Sequence, residues 1–294
     1  MLTTASLNYT ETRSARTKTV PVCHIKECLV YSGNLMKAGA SGIRNSALRR
    51  SQEELISSLD EALQVFLQEH GSCFYIPESD YLEIPDTRHM SQLDQEDLDD
   101  LEVSVKLFYL PDTTGTSRFP ASYISESLEY IKRHLGVNHV HDYVLAFPGS
   151  NSQEDSGEDM SDIIPPWNEI EHFYKEGVIK SLGVSEFSTG ELERLSKKVQ
   201  IAPQINHIDL ASSSGLPTDM AAYAKVHNIK LLTHQDSSDI LPAESFNALL
   251  AKHKIVSSVE EAKLTPRWVL KYSSVIRNRG VITNKGYIVS ASRY

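Results

Sequence analysis

The sequence predicts an α/β chain that folds as a (β/α)8 TIM barrel. The prediction rests on about eight strand-like segments and on the amphipathic helices that separate nearly all of them. With 294 residues, 40% of them hydrophobic, the chain can bury one core of that size. A doubly wound open sheet is the alternative, but no Gly-rich GxGxxG turn follows the first strand. We expect residues 1–26 to form a flexible N-terminal extension and residues 27–294 a single domain.

The first part of the chain supplies three strands and one well-marked helix. Alternating or continuous apolar residues predict strands at 28–32, 72–76 and 103–110. Ser51 and Glu54 have the spacing of a capping box, in which the hydroxyl and the carboxylate satisfy free N–H groups at the start of a helix. Leucines then follow on one helical face. A weaker helix signal lies at 94–101, in an acidic stretch.

The second part alternates helices and strands in a regular way. The clearest unit is a helix that starts at Pro165 and Pro166, ends at Gly177 and runs directly into a strand at 178–184. A second capping box, Ser188 with Glu191, opens another helix. Further strands are predicted at 140–147, 204–210, 229–233 and 279–283, and further helices at 124–135, 217–227, 243–251 and from Thr265 onward, the last carrying Trp268, Val269 and Tyr272.

Composition and cysteine spacing exclude several classes of function. A formal net charge of −10 without a Lys/Arg run disfavours a nucleic-acid partner or an anionic membrane. No apolar run approaches the roughly 20 residues of a membrane span, so a cytoplasmic location is expected. Cys23, Cys28 and Cys73 lack CxxC spacing, which predicts reduced thiols and no metal site. Residues 149–162, rich in Ser, Asp, Glu and Gly, predict a solvated loop.

Several short runs resemble aldo-keto reductases, a (β/α)8 barrel family. Residues 183–187 read GVSEF and resemble the family's GVSNF run, which implies a nicotinamide contact at Ser185. Residues 104–108, SVKLF, resemble the strand with the catalytic lysine, which implies Lys106. Residues 279–285 resemble the last strand and the phosphate clamp, which implies Asn284 and Lys285. The resemblance therefore predicts a barrel of the aldo-keto reductase type that lacks most of its terminal helix and C-terminal extension.

The same comparison shows departures at the positions that carry the chemistry. Phe147 stands where the family has a catalytic histidine, Glu186 replaces the asparagine, and His207 replaces the glutamine of the carboxamide contacts. Tyr75 and Tyr81 do not keep the family's Asp–Tyr spacing. We therefore expect no catalytic residue and no bound cofactor, with Lys106 as a vestigial catalytic lysine and Ser185, Asn284 and Lys285 as vestigial cofactor contacts.

A resemblance over nearly the whole chain points to a non-catalytic member of this superfamily. Residues 32–35 (SGNL), 103–108 (VSVKLF), 231–236 (LLTHQD) and 274–288 resemble the family of glutamate-cysteine ligase regulatory (modifier) subunits. This implies a heterodimer with the ligase's catalytic subunit, improved use of glutamate and relief of feedback inhibition by glutathione. The sequence names no contact residue for that partner.

Three other readings of the chain remain open. One is an NADPH-dependent carbonyl reductase with an altered catalytic tetrad, and another is a metabolite-sensing barrel that keeps weak nucleotide binding. The third comes from His234 and Asp236 at the end of a strand, with His207 on a neighbouring one, which could form a hydrolase or metal cluster.

Overall fold

The computed structural model describes residues 15–17, 25–36, 51–68, 73–85, 100–111, 119–150, 160–209, 217–256 and 263–293. Most of the weak helix predicted at 94–101 and most of the loop predicted at 149–162 lie outside these ranges. In the part of the loop that is described, Met160–Asp162 forms one turn of 3-10 helix, and Met160 is buried.

The described residues contain six α-helices and eleven strands. The helices are α1 Ser51–Gln68, α2 Ser122–Leu135, α3 Ile164–Lys175, α4 Thr189–Lys198, α5 Thr218–His227 and α6 Ala243–Lys252. The strands are β1 Ala15–Thr17, β2 Glu27–Tyr31, β3 Cys73–Ile76, β4 Tyr81–Ile84, β5 Leu101–Tyr109, β6 Val140–Ala146, β7 Ile179–Ser185, β8 Ile205–Asp209, β9 Lys230–His234, β10 Thr265–Ile276 and β11 Val281–Ser292. No described helix is both long and apolar enough to cross a bilayer.

All eleven strands belong to one sheet, in the order β1-β3-β4-β2-β11-β10-β5-β6-β7-β8-β9. From β5 to β9 neighbouring strands are parallel, and one helix, α2 to α5 in turn, connects each consecutive pair. This is the βα repeat of a TIM barrel. The hairpin of β10 and β11 lies between β2 and β5 and pairs antiparallel with both, so the sheet is mixed at this point.

The two faces of the sheet bury separate apolar clusters. Along β5, Leu107 packs with α2, α3, α4 and α5 on one face, whereas Phe108 packs with α1 and α6 on the other. Adjacent residues of a strand point to opposite faces, which explains this division. Because strands covered on both sides must be apolar on both sides, the apolar runs at residues 107–109 of β5 and 143–146 of β6 are the expected sequence pattern.

The helix predicted from Thr265 is wrong, because Thr265–Ile276 is the strand β10. Trp268 and Tyr272 are four residues apart and fit a helical face, but with Leu270 between them they also alternate in the way a strand requires. All three are buried in one cluster. The last strand, predicted at 279–283, starts at Val281 and continues to Ser292.

One of the two predicted capping boxes is present. Ser188 accepts a hydrogen bond from the Glu191 N–H, and the Glu191 carboxylate accepts one from the Ser188 N–H, as predicted for α4. The box predicted at Ser51 and Glu54 is wrong. The Ser51 hydroxyl accepts from the N–H of Ser237, and the Glu54 carboxylate bonds to side chains of β11.

Candidate functional site

A cleft of about 670 Å³ opens where β5, β6, β7 and β9 end and the chain enters the following loops. This edge is where parallel barrels place their functional residues. The polar part of its lining comes from the ends of different strands and from the loop after β9. The lining comprises Lys106, Phe108, Tyr109, Leu110, Ala146, Phe147, Pro148, Gly149, Ser150, Ser185, Glu186, Asp209, His234, Gln235, Asp236, Ser237, Ser238 and Ile240.

A buried carboxylate bridges two lysines at the base of the cleft. Asp236 Oδ2 lies 2.8 Å from Lys106 Nζ, and Asp236 Oδ1 lies 2.7 Å from Lys271 Nζ. The Asp236 and Lys106 side chains are only 4% and 6% exposed, so water screens this pair weakly. The three charges form one network that joins β5, β10 and the loop after β9.

The network shifts the protonation of its members. Burial would raise the pKa of Asp236, but the ammonium groups of Lys106 and Lys271 hold it well below its usual range. Burial lowers the pKa of Lys106, against the opposing attraction of Asp236. Asp236 is therefore ionised beside its two lysine partners, and it has no proton to donate at neutral pH.

Glu186, which directly follows β7, binds His234 at the end of β9. Its Oε1 lies 2.7 Å from His234 Nε2 and also accepts the N–H of Asp209 at 2.5 Å. The Nδ1 of the same ring accepts the N–H of Asp236 at 3.0 Å. Since Nδ1 accepts, Nε2 carries the ring proton and donates it to Glu186. Glu186 has a left-handed backbone (φ 61°), which turns its side chain into this arrangement.

Ser185 and His207 lie beside this histidine. The Ser185 hydroxyl is 3.4 Å from His234 Nε2, and the His207 and His234 rings are 6.2 Å apart. Burial, with nearby Lys106, lowers the pKa of His207 to about 3. His207 is therefore neutral at physiological pH. The Nε2–H of His234 donates its hydrogen bond to Glu186, and Nδ1 accepts from the Asp236 N–H. Neither ring nitrogen is therefore free to act as a base for Ser185.

The opposite wall of the cleft is aromatic. Phe147 stacks on Tyr109 with ring centroids 5.3 Å apart, and Phe119 packs on both. The Tyr109 hydroxyl donates to the Pro120 carbonyl, and burial raises its pKa. Tyr109 is the tyrosine among the described lining residues, so the cleft offers an apolar surface on this side and no acidic phenol.

The structure brings together two of the four predicted site residues. Lys106 and Ser185 line the cleft, whereas Asn284 and Lys285 lie within β11 and do not. Lys285 Nζ is 2.7 Å from Glu54 Oε2, so α1 neutralises this lysine, and the other oxygen of Glu54 accepts from the Tyr287 hydroxyl at 2.6 Å. Asn284 Oδ1 is buried without a hydrogen-bond partner among the described residues.

The sequence patterns did not identify Lys271, and they assigned no site role to Tyr75 or Tyr81. Lys271 was assigned to a helix, although its alternation with Trp268, Leu270 and Tyr272 was the available signal for a strand. Tyr75 bonds to Asp80, and Tyr81 bonds to Glu83 and Tyr130; neither lines the cleft. Within the described ranges no three His, Cys, Asp or Glu side chains are grouped to hold a metal ion.

The family model described as "Aldo/keto reductase family" matches residues 88–235, half of the chain, including the strands β5 to β9. The chain belongs to the aldo/keto reductase family. Its predicted fold class, a TIM barrel of the aldo-keto reductase type, is thereby confirmed. The antiparallel pairs of β3 with β1 and β4, and those of the β10–β11 hairpin, depart from a regular parallel ring.

Ligase regulatory subunits match most of this chain, whereas a reductase matches half of it. The glutamate--cysteine ligase regulatory subunit of Rattus norvegicus is 27% identical over 264 residues, covering 90% of this chain and 92% of the relative. A putative regulatory subunit of the same ligase from Schizosaccharomyces pombe is 27% identical, covering 91% and 97%. An NADPH-dependent alpha-keto amide reductase of Saccharomyces cerevisiae is 27% identical but covers 50% and 48%. The similarity to the regulatory subunits thus includes regions beyond the shared βα repeat.

Proposed function

We propose that this chain is a non-catalytic regulatory subunit of glutamate-cysteine ligase in the cytoplasm. It binds the catalytic subunit as a heterodimer, improves the use of glutamate and relieves feedback inhibition by glutathione. The observation that carries the proposal is the extent of similarity: the regulatory subunits match about nine tenths of the chain, whereas the reductase matches half.

The geometry of the cleft supports a role without hydride transfer. Reduction of a carbonyl needs a proton donor whose pKa is lowered by its neighbours. Lys106, which would lower it, is bound to Asp236, and Phe147 offers no proton where the family has a histidine. Tyr109 bonds to the backbone and has a raised pKa. Neither Tyr109 nor Phe147 can therefore supply the proton that carbonyl reduction needs.

The place of Lys285 supports the absence of tight NADPH binding. Phosphate sites in proteins commonly use a helix N-terminus and an available cation. Lys285 lies inside a strand, and Glu54 already neutralises its ammonium group. A nucleotide phosphate would have to displace this carboxylate, which is only 7% exposed.

The test is the rate of the ligase against glutamate concentration, with the catalytic subunit of the same organism alone and with an equimolar amount of this chain. We expect a lower KM for glutamate and a higher glutathione concentration at half inhibition, together with co-elution of the two chains. Unchanged kinetics and separate elution would refute the proposal.

An NADPH-dependent carbonyl reductase is the second candidate, because Lys106 and Ser185 do lie in one cleft. Fluorescence titration with NADPH and a carbonyl-reduction assay decide between the two functions. The regulatory proposal expects little NADPH binding and no turnover. Tight binding with turnover that is lost in Lys106→Met, but kept in the exposed control Lys180→Met, would establish the reductase instead.

A further inference from the structure

Two lysines face each other directly across neighbouring strands. In the antiparallel pairing of β5 and β10, Lys106 and Lys271 are register partners, so their side chains share one face of the sheet. Like charges in this position repel each other and destabilise a sheet unless an anion lies between them. The pairing therefore creates a local requirement for a negatively charged group.

Asp236 meets this requirement from outside both strands. It lies in the loop between β9 and α6, and each of its oxygens bonds to one lysine, at 2.8 Å and 2.7 Å. This is the way in which a carboxylate ligand would bridge two ammonium groups. One carboxylate bonds to two ammonium groups, and Glu186 is a further carboxylate whose charge acts on Lys106.

We propose that Lys106 and Lys271 form a binding site for an organic carboxylate, and that Asp236 occupies this site as an internal ligand which an external carboxylate displaces. The site lies at the base of the cleft, and the inference does not depend on the proposed regulatory function. If the chain does not bind carboxylates, the result expected of the ligase assay is unchanged. If the chain does not alter the ligase, the result expected of the carboxylate titration is unchanged.

The surroundings of the lysines favour a carboxylate with an apolar group. Lys106 and Asp236 both line the cleft, whose other wall is built by Tyr109 and Phe147. Lys106 Nζ lies 5.0 Å from the centroid of the Phe108 ring, so the cation already contacts an aromatic face. An aryl carboxylate could place its charge at the lysines and its ring against this wall, whereas inorganic phosphate could use only the lysines.

The loop that carries Asp236 has other attachments that would remain after displacement. The Gln235 carbonyl accepts the N–H of Ser51, and the Ser237 N–H donates to the Ser51 hydroxyl at 2.9 Å. Ile240 and Leu241 are buried in the cluster under α1 and α6. Exchange of Asp236 for a ligand therefore requires a local change of one side chain and not the unfolding of the loop.

Benzoate, with benzamide as its uncharged counterpart and inorganic phosphate as a second anion, tests the site by calorimetric or NMR titration. In Asp236→Asn the competing carboxylate is gone, and we expect benzoate to bind at least about tenfold more tightly than to the wild type. Adding Lys271→Gln should abolish this gain. Adding Lys26→Gln, which removes a lysine from an exposed ion pair with Asp80, should leave the gain unchanged.

Three results would overturn the proposal. The first is an equal affinity of Asp236→Asn and the wild type for benzoate. The second is an affinity for benzamide equal to that for benzoate, and the third is a gain in benzoate affinity that persists when Lys271→Gln is added. If phosphate gains as much as benzoate, the aromatic part of the proposal is wrong and the site is a general oxyanion site.

Carbon-13 NMR of the wild-type protein provides a test without any variant, and it decides the matter if Asp236→Asn does not fold. Saturating benzoate should shift the resonance of the Asp236 carboxylate carbon, because this side chain leaves the lysines, whereas benzamide at the same concentration should not. An Asp236 carboxylate resonance that is unchanged by benzoate would refute displacement of Asp236.

Discussion

Mild acid should destabilise this protein through His134. The ring, on α2, stacks on Tyr31 at 5.1 Å, and its Nε2 lies 2.8 Å from the Tyr272 hydroxyl. That hydroxyl donates to the Gly33 carbonyl, so its oxygen is left to accept from Nε2. The Nδ1 atom is buried and has no partner among the described residues. A second ring proton would therefore be buried without an acceptor.

The size of the effect follows from the pKa. Burial, with the neighbouring Arg133, lowers the pKa of His134 from 6.5 to about 4. Between these two values the unfolded chain binds a proton that the native ring does not, so stability is complete above the unfolded value and falls as the pH falls. Each pH unit is equivalent to about 1.4 kcal/mol, which gives about 2 kcal/mol lost by pH ~5.

Urea unfolding of the wild type and of His134→Gln at pH ~7.5 and pH ~5 measures this loss. Glutamine keeps a donor for Tyr272 and cannot titrate, so the variant should lose about 2 kcal/mol less than the wild type between the two conditions. His207, whose pKa is also lowered, to about 3, titrates in both proteins and cancels in the difference. Identical pH dependence of the two proteins would refute the assignment of the acid sensitivity to His134.

Three substitutions test a close strand approach, an ion pair and a helix cap, each by urea unfolding at neutral pH. Gly183→Ala would place a Cβ 2.9 Å from the Ile205 Cβ and 3.1 Å from its carbonyl oxygen, and we expect a loss of about 1–3 kcal/mol. Glu83→Ala removes a carboxylate that is 1% exposed from Arg133, which is 29% exposed and keeps its hydrogen bond to the Tyr31 hydroxyl, for a loss of about 1–3 kcal/mol. Ser188→Ala breaks the capping box of α4 and should cost about 1 kcal/mol.

Each of these expectations has a matched comparison. Arg133→Met should cost less in the Glu83→Ala background than in the wild type, since the pair is already broken; equal costs would show that the two residues are not coupled. Ser188→Thr keeps a hydroxyl that can accept from the Glu191 N–H and donate to the Glu191 carboxylate, and it should retain most of the stability lost in Ser188→Ala. A Gly183→Ala protein as stable as the wild type would contradict the close approach of β7 to β8.

Local sequence patterns predicted the βα repeat because its signals are local. Gly177 ends α3, Pro165 and Pro166 begin it, and the strand that follows is buried on both faces, so each boundary is encoded by a few neighbouring residues. The capping box of Ser188 and Glu191 belongs to the same class of signal. These features do not depend on which distant residue the element packs against.

The wrong predictions of secondary structure and capping lie where residues distant in the sequence determine the local structure. Glu54 has the local spacing of a cap, but Lys285 and Tyr287, more than two hundred residues later, bind its carboxylate. Thr265–Ile276 fits a helical pattern until β5, its partner strand, is known. Because strand pairing is non-local, a single stretch of sequence cannot distinguish these alternatives.

The same cause explains which part of the candidate site could be predicted. Lys106 and Ser185 were identified by short motifs on the parallel strands, and His234 and Asp236 were noted as a cluster. The bridge from Asp236 to both lysines could not be predicted, because the sequence pattern places Lys271 in a helix. The strand register that puts Lys271 opposite Lys106 is not visible in the sequence. The charge network is a property of strand pairing and not of any motif.

The β10–β11 hairpin therefore determines the surroundings of both Lys106 and Lys285. It places Lys271 beside Lys106, so that one carboxylate, Asp236, bonds to both lysines. It also holds Lys285 within a strand, where the N–H bonds to the Asn34 side chain, the carbonyl accepts from Leu35, and Glu54 neutralises the ammonium group. The backbone N–H, the carbonyl and the ammonium group of Lys285 thus all have partners within the fold. A carboxylate at the lysine pair, in contrast, would need to replace only one side chain.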